Sequence, residues 1–304
     1  MIPMDYHMHT SFSTDSETPM EAMIQQAIKL GMKEICFTDH YDINYPMPSP
    51  EDNDYGDVTG PLFLFDVNQY TETIDSFQKK YGNQISIKRG IEFGLQDGIE
   101  APLTKLLQDH SFDFCIGSSH LLYGKDPYYP SFWTSKSHAT STSGSYVSSS
   151  SSVSSDFFTK QEFDSYVYDY FMEINQNIKR YSGFHVYGHL DYILRYAPCK
   201  DIYYSPLEFE DLLTESLRLL IETGRGIELN TSGLKSKLRY PNPHPDILKL
   251  YRKLSGEIIT IGSDAHTPEY IGYQFDIAQS LLEDCGFQYL TTFEQGKPIF
   301  HKIR

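Results

Sequence analysis

Short segments rich in Ile, Val, Phe or Tyr alternate with longer amphipathic segments along this chain of 304 residues. Brief apolar runs of this kind are typical of strands that are buried on both faces of a sheet. The predicted strands are Ile2–His7, Glu34–Thr38, Ile85–Glu92, Phe112–Ser118, His185–His189, Gly226–Asn230 and Ile258–Ser263. Their repeated alternation with helical segments predicts a parallel sheet with crossover helices. Seven such units in this length favour one closed or nearly closed α/β barrel over two open sheets.

The segments between these strands have helical periodicity. Pro19–Gly31 has a proline near its start, apolar residues at Met23, Ala27 and Leu30, and a closing glycine, which are common start and stop signals. The other predicted helices are Val67–Tyr81, Ala101–Asp109, Phe158–Tyr181, Pro206–Thr223, Pro245–Leu254 and Ile271–Cys285.

Two stretches interrupt the alternation. Tyr41–Leu64 is rich in Pro, Asp, Asn and Gly and is predicted to form a long loop. Thr134–Asp156 is almost entirely Ser and Thr, so it cannot bury enough surface to offset its ordering entropy. A linker between two domains is one interpretation, but the same strand–helix spacing resumes at once. The sequence therefore favours a single domain over residues 1–304, with a flexible Ser-rich insertion at about 134–156.

Composition excludes several classes of protein. The 24 tyrosines and 19 phenylalanines supply a sizeable core and exclude wholesale disorder. The net charge of -16 disfavours binding to phosphate backbones and anionic membranes unless a local basic patch intervenes. Two interpretations of this acidity remain open. The excess carboxylates either keep the protein soluble, or several of them hold cations together with histidines. The N-terminal segment MIPMDYHMHT holds Asp5 and no Lys or Arg, so we do not expect it to be a signal peptide, and no apolar run approaches the length of a membrane span. Four widely spaced cysteines without a CxxC pair favour the reducing cytoplasm over a disulfide framework.

Histidine and carboxylate side chains lie at the ends of most predicted strands. In chain order they are His7, His9, Asp15, His40, Glu92, His120, His189, Asp191, Asp264 and His266. The carboxyl ends of the strands in a parallel barrel converge on one face, where active sites are built. We therefore expect these side chains, although distant in sequence, to meet in one cavity.

The residue types at these strand ends are typical ligands of hard and borderline metal ions, because they offer imidazole nitrogen and carboxylate oxygen without thiolate. His7 and His9 are two residues apart, so both point to the same side of an extended strand. A single histidine at a strand end is more often an ordinary polar residue, but six of the eleven histidines end predicted strands here. The other five are interpreted as structural: His110, His138, His185, His244 and His301.

The strand-end motifs resemble those of the PHP (polymerase and histidinol phosphatase) family of metal-dependent phosphoesterases. In order they are HxH, TDH, GIE, SSH, GH and GSDAH, and the resemblance runs from Asp5 to about Gly286 around the Ser-rich insertion. The segments DYHMHTSFSTD, AIKLGMKEICFTDHYD and FDFCIGSSHLL are most similar to the histidinol-phosphate phosphatase branch.

This resemblance implies a distorted TIM-like (β/α)7 barrel with two to three divalent metal ions, for which zinc, manganese and iron are all suitable. Matched motif by motif, the ligands of the three ions would be His7, His9, Glu92 and Asp264; Glu92, His120 and His189; and Asp15, His40 and His266. Asp15 occupies a position where some relatives use histidine, and a carboxylate there favours a harder ion.

The implied activity is hydrolysis of L-histidinol phosphate to L-histidinol and phosphate in histidine biosynthesis. A hydroxide held between two ions that Glu92 bridges would attack phosphorus. No GxSxG or cysteine motif suggests a protein nucleophile. The implied partner is a small-molecule phosphate ester, with neither nucleic acid nor membrane.

Candidates for the remaining roles lie close to the strand ends. Arg195 is predicted to bind the phosphate, with Lys235 and Arg239 as rival candidates. Asp191 is a candidate for protonating the leaving group, although a metal-bound water would also serve.

Two other activities remain open from the sequence. A related PHP phosphoesterase would act on nucleotides or other small phosphates, and a PHP exonuclease or polymerase-associated module would act on nucleic acid. The acidic charge and the lack of a basic segment disfavour the second of these. A scaffold without activity is disfavoured because it would not need the nine ligands.

Overall fold

The first eight of the ten strands in the computed structural model, which describes residues 2–52, 60–134, 158–236 and 238–303, form a nearly closed parallel barrel, and the last two form a separate antiparallel pair. Their bounds are β1 (Met4–Asp5), β2 (Glu34–Phe37), β3 (His40–Tyr41), β4 (Ser86–Gly94), β5 (Phe114–Ser118), β6 (Val186–Tyr187), β7 (Gly226–Asn230), β8 (Ile259–Gly262), β9 (Tyr289–Glu294) and β10 (Lys297–Lys302). The barrel order is β1-β2-β4-β5-β6-β7-β8, and β3 pairs with the C-terminal half of β4. The predicted α/β barrel with seven parallel strands is confirmed.

Backbone contacts join the two ends of this sheet. The amide of Tyr6 donates to the carbonyl of Ile261 at 2.9 Å, and the amide of Asp264 donates to the carbonyl of His7 at 2.8 Å. An isolated parallel bridge between Met8 and Ala265 continues the contact. The residues that follow β1 and β8 are thereby fixed side by side.

The helices lie between the strands, as the periodicity predicts. Their bounds are α1 (Met20–Lys29), α2 (Val67–Tyr81), α3 (Glu100–Asp109), α4 (Pro130–Thr134), α5 (Lys160–Arg180), α6 (Lys200–Tyr203), α7 (Glu210–Glu222), α8 (Ser232–Lys235), α9 (Pro245–Lys253) and α10 (Phe275–Asp284). The predicted helix Pro206–Thr223 is divided, because Pro206–Phe209 forms a 3-10 turn before α7.

Local signals fix where several of these helices begin. The side chain of Asp66 accepts from the backbone amides of Asn68 and Gln69 at the start of α2. Thr159 and Glu162 form a reciprocal capping box at the start of α5. These contacts satisfy amide groups that have no partner inside the helix.

A C-terminal hairpin of β9 and β10 closes the amino-terminal end of the barrel. Phe293 packs 5.0 Å from the ring of Phe114, and its amide donates to the Tyr6 hydroxyl at 3.0 Å. An apolar cluster fills the barrel interior there, and its members are Tyr6, Cys36, Phe114, Ile116, Val186 and Phe293. Our sequence analysis did not predict this hairpin, since β10 is largely exposed and lacks a strong apolar alternation. The opposite end of the barrel is left to polar side chains.

The predicted Ser-rich insertion falls almost wholly on residues 135–157, which lie outside the described residues. Thr134, taken as its first residue, instead ends α4. The strands on either side of the segment, β5 and β6, are neighbours in the barrel. None of the helices that the structure describes is long and apolar enough to cross a membrane.

Candidate active site

A cavity of about 790 Å³ opens at the carboxyl ends of the strands. The predicted ligands that line it are Asp15, His40, His120, His189, Asp264 and His266. His7, His9 and Glu92 lie beneath them and are fully buried. The structure therefore brings all nine predicted ligands to one place.

Glu92 of β4 lies at the centre of this cluster. Its Oε2 atom is 3.1 Å from Nε2 of His7 and 3.0 Å from Nδ1 of His40. Its Oε1 atom is 3.2 Å from Nε2 of His120 and 3.0 Å from Nε2 of His189. One carboxylate thus faces histidines from four separate strand ends, which is the placement required of a bridging ligand.

Asp264 and Asp15 occupy the opposite side of the cluster. Oδ1 of Asp264 lies 3.4 Å from Nε2 of His9 and 3.7 Å from Nδ1 of His266. Oδ2 of Asp15 lies 3.0 Å from Nε2 of His266 and 3.7 Å from Nε2 of His40. The ring of His9 stacks between those of His40 and His266, with centroids 4.2 Å away on each side.

Potential ligand atoms converge within 4.8 Å in four overlapping triads. The triads are His7, His9 and Asp264; His7, Glu92 and His189; His40, Glu92 and His120; and His9, His40 and His266. They differ from the implied grouping because they join His7 to His189, His40 to Glu92 and His120, and His9 to His40 and His266. The triads share members and together contain eight of the nine residues, and Asp15 joins them through His266 at 3.0 Å, so the nine residues form one continuous cluster rather than three separate sites.

His9 provides a test of whether the cluster fits a metal ion. Its Nε2 atom is buried and has no hydrogen-bond partner in the described part of the chain, although it faces Glu92 and Asp264. Its Nδ1 atom lies 3.1 Å from the Ser13 hydroxyl, which in turn donates to Asp39 at 3.0 Å. The Ser13 oxygen therefore accepts from Nδ1, and the lone pair remains on Nε2. A buried, unpartnered lone pair directed at two carboxylates fits a metal ligand.

Electrostatics keep both central carboxylates ionised. Burial by itself would raise the pKa of Glu92, but the charges of His7, His40 and His120 outweigh it and hold that pKa well below its usual range. Burial acts in the same direction on Asp264, where His7 and Arg195 hold the pKa well below the ordinary value. Carboxylates in this form are ready to coordinate a cation.

Two carboxylates that our sequence analysis missed orient the histidine rings. Nδ1 of His7 lies 2.6 Å from Oε1 of Glu228, and Nδ1 of His120 lies 2.6 Å from Oδ2 of Asp42. Each Nδ1–H donates to its carboxylate, which directs Nε2 at Glu92, so a metal ion that displaced the Nε2 proton would bind on that side of the ring. The signal for Glu228 is present in the sequence, since it is the one charged residue in the fully buried strand β7.

Arg195 is buried at the edge of the cavity and is held on three sides. Its Nη1 donates to Oδ2 of Asp264 at 2.9 Å, its Nη2 to Oδ1 of Asn230 at 2.9 Å, and its Nε to Oδ1 of Asn242 at 2.8 Å. A guanidinium has five N–H donors, so two remain beyond these contacts. The structure therefore places this cation, with donors to spare, beside the cluster.

The other predicted roles divide between the cavity and its surroundings. Lys235 lines the cavity, with its Nζ 4.4 Å from the ring centroid of Tyr270. Arg239 does not line the cavity, and it lies instead in a separate surface depression.

Asp191 does not line the cavity either. Its side chain is fully buried, and its two oxygens accept from Nδ2 of Asn242 at 2.6 Å and from the amide of His244 at 2.9 Å. Burial raises its pKa to about 6, but a carboxyl held in this way does not reach a substrate. The prediction that Asp191 is the general acid is not supported by this position, and its contacts are those of a residue that orients Asn242.

The comparisons with known proteins agree with this geometry. The histidinol-phosphatase of Lactococcus lactis is 26% identical over 98% of this chain and 96% of its own. A Clostridium acetobutylicum protein named "Probable histidinol-phosphatase" is 29% identical over 99% of this chain and 97% of its own. The Lactococcus lactis crystal structure, a complex with Zn, L-histidinol and phosphate, superimposes with a TM-score of 0.77 and covers 98% of each chain.

The family model for the PHP domain matches residues 5–232. That match includes seven of the nine clustered residues, and the two beyond it, Asp264 and His266, join the same cluster. This chain belongs to the PHP domain family.

Proposed function

We propose that this protein hydrolyses L-histidinol phosphate to L-histidinol and phosphate, in histidine biosynthesis. The observation that carries the proposal is the convergence of four histidines on Glu92 at the floor of an open cavity. It is supported by the relatives that match nearly the full length of the chain, all of which are named for this activity.

The cluster is suited to two to three divalent metal ions, of which zinc is the one bound in the Lactococcus lactis structure. Manganese and iron are equally compatible with nitrogen and oxygen ligands. When bound, such ions would activate water at neutral pH and offset negative charge on the phosphate oxygens. The nine clustered residues would hold them, and Glu228 and Asp42 would keep the rings of His7 and His120 correctly oriented.

The side chains around the cluster would bind and orient the phosphate ester. Arg195 would donate its remaining N–H groups to a phosphate oxygen, because its three protein contacts fix the guanidinium at the cavity edge. Lys235 adds a second cationic side chain to the lining of the same cavity. A phosphomonoester is doubly negative near neutral pH, so fixed cations favour its binding and its transition state.

The remaining features of the proposal concern the partner, the domain organisation and the cellular location. The partner is a small phosphate ester rather than a nucleic acid, in keeping with the net charge of -16. A single barrel domain with an insertion and a cytoplasmic location also remain part of the proposal.

The test is phosphate release by metal-reconstituted protein from a panel of substrates. The panel contains histidinol phosphate, an aryl phosphate, a nucleoside monophosphate and a single-stranded oligonucleotide. We expect kcat/KM for histidinol phosphate to exceed that for each of the others by at least tenfold. A clear preference for the nucleotide or the oligonucleotide would contradict the proposal and favour another PHP activity.

A further inference from the structure

We propose that Asp126 binds the protonated amine of the substrate, at the end of the cavity away from the phosphate. This inference rests on the proposed function and specifies how the same site selects its substrate. The cavity then has a second binding region, which is negatively charged and binds the amine of the substrate rather than its phosphate.

Asp126 is a buried carboxylate that lines the cavity, with 7% of its surface exposed. Its Oδ2 accepts from the Tyr45 hydroxyl at 2.8 Å, and its Oδ1 accepts from the Tyr128 amide at 2.8 Å and the Tyr192 hydroxyl at 3.2 Å. These contacts fix both oxygens at the cavity wall.

No lysine or arginine in the described part of the chain forms an ion pair with Asp126. Buried carboxylates are ordinarily paired with a cation or a metal, because removing an ionised group from water is costly. Three neutral donors and the nearby charge of His120 stabilise Asp126. A carboxylate in this state, facing an open cavity, is complementary to a cationic ligand.

Aromatic rings surround this carboxylate. Tyr128 and Tyr196 pack with centroids 5.4 Å apart, and Tyr192 lies 5.3 Å from Tyr196. Tyr45 packs 4.6 Å from Phe63. All five rings line the same cavity. Aromatic faces attract an ammonium group through their negative quadrupole, so the rings and the carboxylate favour the same ligand charge.

Tyr192 lies between Asp126 and the clustered histidines. Its hydroxyl reaches Asp126, while its ring lies 5.1 Å from that of His189 and 5.6 Å from that of His120. The distance from the clustered histidines to Asp126 is therefore about one tyrosine side chain. A small molecule with a phosphate at one end and a cation a few bonds away spans that distance.

The aliphatic amine is a better match than the imidazole ring of the proposed substrate. An aliphatic amine remains protonated at neutral pH, whereas imidazole, with a pKa near 6.5, is mostly neutral. A constant positive charge is what an ionised carboxylate within aromatic walls selects.

The experiment compares three phosphate esters on the metal-reconstituted protein. They are L-histidinol phosphate, 3-(imidazol-4-yl)propyl phosphate, which lacks the amine, and L-alaninol phosphate, which keeps the amine and lacks the ring. We expect wild-type protein to prefer the amine-bearing imidazole ester over its amine-free analogue by about 10- to 100-fold in kcat/KM, as is typical of a charged hydrogen bond.

Asp126→Asn should abolish that preference by lowering kcat/KM for the two amine-bearing esters and leaving the amine-free ester nearly unchanged. The matched control is Glu17→Gln, which removes one charge from an exposed residue of the same cavity and should retain the preference. Metal content and thermal midpoint establish that Asp126→Asn is folded and loaded.

Two outcomes would overturn the inference. One is a wild-type protein that hydrolyses histidinol phosphate and its amine-free analogue equally well, which needs no variant. The other is an equal loss for all three esters in folded Asp126→Asn, which would assign Asp126 a structural role. Neither outcome resembles failure of the proposed function, in which wild-type protein would not favour histidinol phosphate in the broader panel.

Discussion

Nδ1 of His7 lies 2.6 Å from Oε1 of Glu228, although the two residues are 221 positions apart in the chain. His7 follows the first barrel strand and Glu228 lies within β7, so closure of the barrel creates the contact. The carboxylate fixes the orientation of the His7 ring and directs its Nε2 atom at Glu92. A residue outside the ligand cluster thus determines how one of its members is presented.

Removing the charge of Glu228 should weaken metal binding. Glu228→Gln retains size but loses the carboxylate that accepts from Nδ1 of His7 through one oxygen and from the amides of His189 and Asn230 through the other. We therefore expect a 10- to 100-fold loss in metal affinity or kcat/KM. Titration with a chelator and elemental analysis measure the metal affinity, and phosphate release measures kcat/KM. Glu222→Gln, on an exposed position of α7, is the matched control and should behave as wild type. Full metal content with normal turnover in Glu228→Gln would remove this role.

Prolonged chelation should abolish phosphatase activity, because the described site offers ligands and no protein nucleophile in their place. Elemental analysis of untreated protein should find two to three divalent ions per chain. Restoration by zinc or manganese is the control for unfolding during chelation. Full activity in verified metal-free protein would contradict the proposed chemistry.

Glu92→Gln should cause a large loss of turnover together with reduced metal content. Glu92 faces four histidines through both oxygens, and a neutral amide cannot hold two cations close together. Circular dichroism should show that the fold survives, since the barrel strands do not depend on this charge. Near-normal turnover would mean that Glu92 is not the bridge.

Arg195→Met should remove about 2–4 kcal/mol of transition-state stabilisation, the usual range for a desolvated charged contact. The value of kcat/KM should fall accordingly for every phosphate ester. Metals should be retained, because a guanidinium is not a ligand. Arg239→Met, outside the cavity, is the matched control and should leave turnover unchanged. A defect confined to histidinol phosphate would mean that Arg195 contacts the other end of the substrate.

His185, which does not line the candidate active site, should make the folding stability depend on pH. Burial lowers its pKa to about 4, and its Nδ1 accepts from the Cys115 amide at 2.8 Å. The unfolded chain therefore binds more protons between pH 6.5 and 4, so stability is complete above that window and declines as the pH falls through it. The loss from this residue reaches about 3 kcal/mol at pH 4.

His185→Asn preserves an acceptor near the Nδ1 position and removes the titration. Urea unfolding at several pH values should give a flatter profile for the variant than for wild type between pH 6.5 and 4. Parallel profiles for the two proteins would show that His185 does not titrate as its burial requires.

The sequence alone determined the kind and order of the seven barrel strands and of the longer helices, and which residues cluster at the strand ends. Apolar runs and helical periodicity are local properties, so β7 and α2 have the predicted bounds. The clustering of the nine candidate ligands was predictable because parallel strands place their carboxyl ends on one face, whatever the details of packing. A topological rule was sufficient for them.

The tertiary structure alone decided which neighbouring polar residues face the cavity. Asp191 lies two positions after His189 yet turns inward to Asn242, whereas Asp126 comes from the loop after β5 and faces the cavity. The direction of a loop side chain depends on partners that are distant in sequence, as Asn242 and Tyr45 are here. Such contacts have no local periodicity. They arise only when the barrel closes and its loops pack against one another.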